Sequence, residues 1–215
     1  MKKNKYCYVG LFELIFSCIT LFAYRFYKKH PKRAKEQGRK ISISYASKIQ
    51  LIDLGLPSDT LWADRNIGAD APEDNGDYFR WGETVPFTED SPEYCYNDIE
   101  DAATVILGKG YKMPTLKQIK ELLECCTWEW TDLNGVKGMK VTGPNGNSIF
   151  FPASGYRISS YGSLGYVGGY GFYWSASASY GYLGHYLYFT SRGSFCDDFN
   201  RAYGFPVRAV AKNMK

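Results

Sequence analysis

Residues 138–152 read Gly138-Met139-Lys140-Val141-Thr142-Gly143-Pro144-Asn145-Gly146-Asn147-Ser148-Ile149-Phe150-Phe151-Pro152, with an Asn-Gly pair between two apolar runs. Asn and Gly tolerate the left-handed backbone that a tight reversal demands, and between β-prone runs they are the strongest short-range sign of a hairpin. The β signals run on toward the C-terminus. A second hairpin is expected from Tyr186-Leu187-Tyr188-Phe189 through Ser191-Arg192-Gly193 to Phe195, and a last strand from Phe205 to Val210. Toward the N-terminus the period changes. Thr115-Leu116-Lys117-Gln118 sets a Gln three residues after a Thr cap, and Leu116, Ile119, Leu122 and Leu123 share one face, which predicts a capping-box helix with a core-facing stripe. A shorter helix through Leu107, with Ala102, Ala103, Val105 and Ile106, would be capped by Asn97 or Asp98. Residues Ile49–Gly55 read as a strand ended by Gly55 and Pro57, and Thr60–Ala63 as a second extended piece. Between Gly68 and Glu93 the chain is rich in Asp, Glu, Gly and Pro, with Tyr78, Phe79 and Trp81 embedded, which predicts a long ordered loop pinned by aromatic anchors. Two helices among several short strands, with no internal repeat, predict one α+β domain over residues 49–212.

The charge is unevenly placed. The net charge of +4 divides after Lys40 into 11 basic and 2 acidic residues up to and including it and 15 basic and 20 acidic beyond it. A nucleic-acid-binding domain carries its basic patch on the folded body; this body is acidic, so nucleic acid is not an expected partner. Within the basic part, Tyr6–Tyr24 is an apolar stretch broken only by Glu13 and flanked by Lys2, Lys3, Lys5 and then Arg25, Lys28 and Lys29. Residues 1–27 therefore read as a signal or anchor segment and 28–48 as a basic linker. Three readings stay open for the segment: a signal anchor, a lipoprotein-type signal with Cys18 as the lipidated residue, and an amphipathic or buried helix. The first two imply membrane association and a cell-envelope location. The heavier positive flank after the segment argues for the opposite topology.

The search for chemistry is mostly negative. There is no Gly-x-Gly-x-x-Gly, no phosphate loop, no His-Glu-x-x-His, no Cys-x-x-Cys and no calcium-loop spacing. The two histidines are His30 and His185, and no Gly-x-Ser-x-Gly elbow accompanies them. The acidic run Glu73-Asp74, Asp77, Glu83, Glu89 and Asp90 reads as a solvated loop, so calcium has no motif behind it and no cofactor is expected. The body's cysteines, Cys95, Cys125, Cys126 and Cys196, suggest no disulfide framework.

The informative feature is a composition gap. From Val141 to Ala211 there is no Lys, Glu, Gln or Met, whereas average usage would put roughly eight Lys and Glu in a stretch of that length. Between Tyr156 and Val210 stand 10 Tyr and 9 Gly. Loop-rich β segments favour such residues, and the genetic code offers a second cause. Random replacement of the adenines in pyrimidine-ending Asn codons yields Tyr, Gly, Asp, His, Cys, Phe, Leu, Ser and Asn, and never Lys, Glu, Gln, Met or Trp.

Ordered blocks spread over residues 51–210 carry a family resemblance. They are Asp53-Leu54-Gly55-Leu56-Pro57-Ser58, Trp62-Ala63, Asn66-Ile67-Gly68-Ala69, Pro72-Glu73-Asp74-Asn75-Gly76-Asp77-Tyr78-Phe79-Arg80-Trp81-Gly82-Glu83-Thr84, Met113-Pro114-Thr115, Pro152-Ala153-Ser154-Gly155-Tyr156-Arg157, Tyr173-Trp174-Ser175 and Val207-Arg208. This chain resembles the fibrobacter-type major paralogous domain of gut bacterial surface proteins. The resemblance implies a C-type-lectin-like fold of the branch shared with formylglycine-generating enzymes, in which the first and last strands pair; here those would be Ile49–Leu54 and Phe205–Val210. The same fold serves variable target proteins of diversity-generating retroelements, whose C-terminal coding segment is mutated at adenines, and the Tyr/Gly palette looks like that process. Sugar-binding lectins of the fold use Trp-Asn-Asp at a calcium site; here Trp174 is followed by Ser175-Ala176, so that calcium-dependent mode is not implied. The reactive cysteine pair of the formylglycine-generating enzymes also has no match around Cys196.

The expected function is therefore non-enzymatic binding of a protein or surface glycan by a display segment over about residues 156–206. Tyrosine offers large, rigid contact area with a hydroxyl handle, and Gly and Ser offer spacing. The expected contacts are Tyr166, Tyr170, Phe172, Tyr180, Tyr182, His185, Tyr186, Tyr188, Cys196, Asp197, Asp198, Phe199 and Tyr203, with Trp62, Trp81, Tyr156, Trp174 and Arg208 as scaffold. The alternative is a structural adhesin or fimbria-like surface module without diversification, its tyrosines packing against neighbouring subunits.

Overall fold

The computed structural model describes residues 49–94, 99–160 and 162–213, which belong to the second of the chain's two units, Ser44–Lys215. The anchor segment, the linker, Cys95, Asn97 and Asp98 lie outside the described residues. The described chain forms four small antiparallel sheets and two short helices, a mixed, mainly β arrangement. Among the described residues no helix is long and apolar enough to cross a membrane.

Helix α1 (Ala102–Leu107) is capped by Asp101, whose carboxylate accepts from Thr104 N at 2.8 Å, and not by Asn97 or Asp98. The same carboxylate accepts from Met113 N at 3.0 Å, so one side chain serves both the helix start and the segment that follows Lys112. Helix α2 (Leu116–Cys125) has the capping box that its sequence spells: Thr115 Oγ1 accepts from Gln118 N at 3.3 Å, and Gln118 Oε1 accepts from Thr115 N at 2.9 Å. Its stripe is core, with Ile119 and Leu122 fully enclosed.

The first sheet contains β1 (Leu51–Asp53), β2 (Thr60–Ala63), β14 (Val210–Lys212) and β4 (Tyr111–Lys112), in the order β1-β2-β14-β4. The expected direct pairing of the first and last strands does not form, because β2 stands between them. The expected strand Phe205–Val210 is also divided. Gly204–Pro206 is β13 of a second sheet, where it lies between β3 (Tyr78–Arg80) and β8 (Tyr156–Arg157), with β9 (Leu164–Gly165) beyond. Pro206 brings no N–H to continue a ladder. Two residues on, Arg208 is fully buried and draws the backbone inward. It donates to Asn66 Oδ1 at 2.9 Å, Ala63 O at 3.1 Å and Phe150 O at 2.8 Å, with its guanidinium 4.5 Å from the centre of the Phe151 ring. One side chain thus ties three separate segments.

The Asn145-Gly146 hairpin is formed by β6 (Val136–Thr142) and β7 (Ser148–Pro152), with Thr142 opposite Ser148 and Gly146 at φ 87°. A further strand, β5 (Thr127–Leu133), joins β6 through Asn134-Gly135, both left-handed at φ 51° and 84°, as a tight hairpin turn requires. The fourth sheet, β10 (Tyr170–Ala178), β11 (Leu183–Thr190) and β12 (Gly193–Asn200), separates two cores. One face sends Tyr173, Leu187 and Phe189 toward Ile119, Leu122 and Phe151. The other sends Phe172, Trp174 and Tyr186 toward Phe79, Ala103 and Phe205. Alternation along each strand makes this division, since successive side chains leave a sheet on opposite sides.

Candidate functional site

On the second face the rings form a closed circuit. Tyr188 lies 6.0 Å from Tyr170, Tyr170 5.0 Å from Tyr166, Tyr166 5.5 Å from Tyr156 and Tyr156 5.6 Å from Tyr203, centroid to centroid. The circuit returns through Phe199 at 4.8 Å from Tyr203, Tyr186 at 5.9 Å from Phe199, and Tyr188 at 6.4 Å from Tyr186. Phe172 fills the middle, 5.1 Å from both Tyr156 and Tyr188 and 5.2 Å from Phe205 below. Most pairs are tilted or edge-on, the arrangement that aromatic quadrupoles favour, each contributing about 0.5–1.5 kcal/mol beyond area burial. Phe195, directly opposite Tyr188 in the β11–β12 ladder, extends the circuit at 4.5 Å.

The register explains the cluster. Phe172, Tyr188 and Phe195 form one cross-strand row, and Trp174, Tyr186 and Asp197 the next. At the other end, Tyr166 holds a left-handed backbone at φ 61°, costly for an aromatic residue. Its carbonyl accepts from Gly169 N and Tyr170 N, each at 3.2 Å, and so fixes the turn that leads into β10. Tyr166 and Phe195 are about half exposed, at 59% and 48%.

The thirteen expected contact residues fall into three groups. Seven (Tyr166, Tyr170, Phe172, Tyr186, Tyr188, Phe199 and Tyr203) are in the circuit, and Asp197 is exposed beside it, opposite Tyr186. Within this group Phe172 and Tyr186 are corrected to core: at 7% and 6% exposure they support the face without presenting surface. Burial, reinforced by Asp197, Tyr188 and Asp198, pushes the Tyr186 hydroxyl up to about 12, so it keeps its proton. Tyr180 and Tyr182 form a second group at the β10–β11 turn, both exposed and outside the circuit. That turn closes over Trp81. A Cβ on Gly184 would lie 2.7 Å from the Trp81 ring, whose other contacts include the Arg201 guanidinium at 4.1 Å. His185, Cys196 and Asp198 form the third group, on the opposite face. Cys196 packs on the first core, and the Asp198 carboxylate accepts from Ser179 Oγ at 2.7 Å.

Two circuit members were not among the expected contacts. Tyr156, read as scaffold, is half exposed and touches four rings. For Phe195 the signal is the alternation Phe195, Asp197, Phe199, which sets it opposite Tyr188 as Asp197 is opposite Tyr186.

The acidic loop is occupied by its own chain. Asp74 accepts from Asp70 N at 3.1 Å and Ala71 N at 2.9 Å, Glu73 from Asn134 Nδ2 at 2.6 Å, and Glu83 from Arg80 Nε at 2.8 Å. Among the described residues no group of three or more His, Cys, Asp or Glu is placed to hold a metal ion. A cavity of about 290 Å³ beside Arg80 and Glu83, and a trough of about 410 Å³ between Ile52 and Phe150, are lined by no residue of the ring circuit. No protein-family model matches the chain, and neither a curated protein nor a solved structure matches it.

Proposed function

We propose that this protein binds a protein or surface-glycan ligand without catalysis, through the aromatic face around Phe172, on a C-type-lectin-like domain related to the fibrobacter-type paralogous domains. The observation that carries this reading is the closed circuit of rings whose outer members, Tyr166 and Phe195, stay exposed at 59% and 48% in a segment free of Lys and Glu. Half-exposed tyrosines held by their neighbours lose little side-chain entropy on contact, which is why such surfaces make binding anchors. The same composition supports a diversified segment. The circuit's outer side chains would vary while Trp174, Tyr173 and Arg208 hold the frame, and the apolar N-terminal segment would keep the domain at the cell envelope.

Two experiments test it. The full chain is screened against a glycan array and a panel of purified surface proteins, beside a Tyr166→Ser/Tyr188→Ser/Phe195→Ser variant; the expected result is at least one ligand lost by about tenfold or more. A variant that binds every hit as the parent does sinks the aromatic-face reading. For diversification, the neighbouring DNA should hold a near-copy of codons 156–210 that differs only where the copy has adenine, beside a reverse transcriptase gene. Its absence reduces the protein to an undiversified surface module.

A further inference from the structure

The β10–β12 sheet ends in an open edge. In an antiparallel pair, residues whose backbone groups turn away from one neighbour turn toward the other. Tyr170, opposite Thr190, turns its carbonyl outward to accept from Gly155 N at 2.7 Å, so Thr190 directs its own groups to Gly193 across the two-residue turn Ser191-Arg192. Continuing the alternation, Phe195, Asp197 and Phe199 bond to β11, while Ser194, Cys196, Asp198 and Asn200 present N–H and C=O away from the sheet. The far half of this edge is closed by its own residues. Asp197 Oδ1 accepts the outward N–H of Asp198 at 2.9 Å, and Asn200 O accepts from Tyr203 N at 3.1 Å. The near half is not: the outward N–H and C=O of Ser194 and Cys196 have no partner among the described residues. The inner edge of the same sheet is covered, with Gly155 on Tyr170 and Pro114 O accepting from Ala176 N at 2.8 Å.

We propose that Ser194–Cys196 is a strand-addition site, at which an extended, basic segment of a protein partner pairs with β12 and lays an apolar side chain on Phe195 and Tyr188. An unpaired edge is a template for another strand, with main-chain bonds supplying affinity and the alternating side chains supplying choice. Charge argues for a basic segment. Asp197 is exposed and Asp198 half exposed at the end of the open stretch, against one cation, Arg192, in the turn before it, and the three strands themselves carry no Lys or Arg. The proposal rests on the aromatic-face reading and narrows it to a protein ligand. It also accounts for how a varying surface keeps one docking mode, since the backbone groups at 194–198 survive every side-chain change except to proline.

The test uses a dodecapeptide library displayed on phage, selected on the full chain. Ser194→Pro and Cys196→Pro each delete one outward N–H and leave the ladder to β11 intact. Selected peptides should be enriched in Lys or Arg, lose about tenfold or more in affinity to both proline variants, and slow amide exchange at Ser194 and Cys196 of the parent. The exchange measurement needs no variant to fold. Peptides that bind the parent and both proline variants alike, lose affinity to Phe195→Ser, and leave the exchange of Ser194 and Cys196 unchanged overturn strand addition while leaving the aromatic face standing. A selection that yields only peptides indifferent to both Phe195→Ser and the proline changes overturns both.

Discussion

The two faces of the β10–β12 sheet are built from the same residue types and do different work. On one, Tyr173, Leu187 and Phe189 are sealed against α2 and the β5–β7 sheet, and the Tyr173 hydroxyl is spent on Pro152 O at 2.6 Å. On the other, Phe172, Tyr186 and Trp174 form a floor, while rings of the same kind stand above it with a side left open. A tyrosine's role here is set by its row and its distance from the Trp174–Phe205 stack, whose rings lie 4.1 Å apart, and not by its residue type. Aromatic density marks the region; only register distinguishes anchor from contact.

The comparison breaks first if the frame is dispensable. Arg208→Ala would leave Asn66 Oδ1, Ala63 O and Phe150 O without their buried donor, and Trp174→Ala would open a large cavity and remove the Nε1 bond to Phe79 O. Each is expected to cost about 3–5 kcal/mol, read by denaturant unfolding. A loss under 1 kcal/mol at either position would refute the frame.

Next in size is the alkaline limit. Burial is the first cause that raises the hydroxyl pKa values of Tyr78, Tyr173 and Tyr186, the last to about 12. A group that holds its proton more tightly when folded stabilises the fold fully below its unfolded value, and that contribution is lost as pH rises through the folded value. The tyrosine contribution should therefore hold up to about pH 10, the ordinary tyrosine value, and fall between there and about 12, after an earlier loss that begins near pH 9 because burial pushes the Cys126 thiol up to about 11. Tyr186→Phe should flatten part of that fall in pH-dependent melting.

Smaller effects sharpen the boundary. Tyr166→Gly trades ring contacts for relief of the left-handed backbone, so its net change should be within about 1 kcal/mol, whereas Tyr166→Val, β-branched at φ 61°, should cost about 1–3 kcal/mol. Tyr180→Ser, at a residue 92% exposed and outside the circuit, should fall within about 0.5 kcal/mol of the parent.

Local signals were readable from the sequence, and long-range ones were not. The capping box at Thr115, the Asn145-Gly146 hairpin and the Ser191-Arg192 turn each depend on a few adjacent residues, and each formed as read. The anchors Tyr78, Phe79 and Trp81 in the Gly68–Glu93 loop are buried for the same reason, and Phe87 is buried with them. The split of Phe205–Val210 was hidden because it depends on where Arg208 finds Asn66 and Phe150, far away in sequence. The burial of Phe172 and Tyr186 was hidden for a related reason. β10 is buried on both faces from Gly171 to Ser175, so it lacks the polar alternation that would show which side meets solvent. Asp101 displaced the expected caps because it also serves the backbone N–H of Met113, just past β4, a partner that no local pattern reveals.

If the open rings are display and the rings below them frame, only the lower rings should carry the fold. Thermal melting of the Tyr166→Ser/Tyr182→Ser/Phe195→Ser protein beside Trp174→Ala tests it most directly. The account predicts that the triple variant melts within a few degrees of the parent, at about 2–4 °C per kcal/mol for a chain of this size, while Trp174→Ala melts far lower or does not fold. A triple variant that loses as much as Trp174→Ala would contradict it, because the exposed rings would then be holding the fold together.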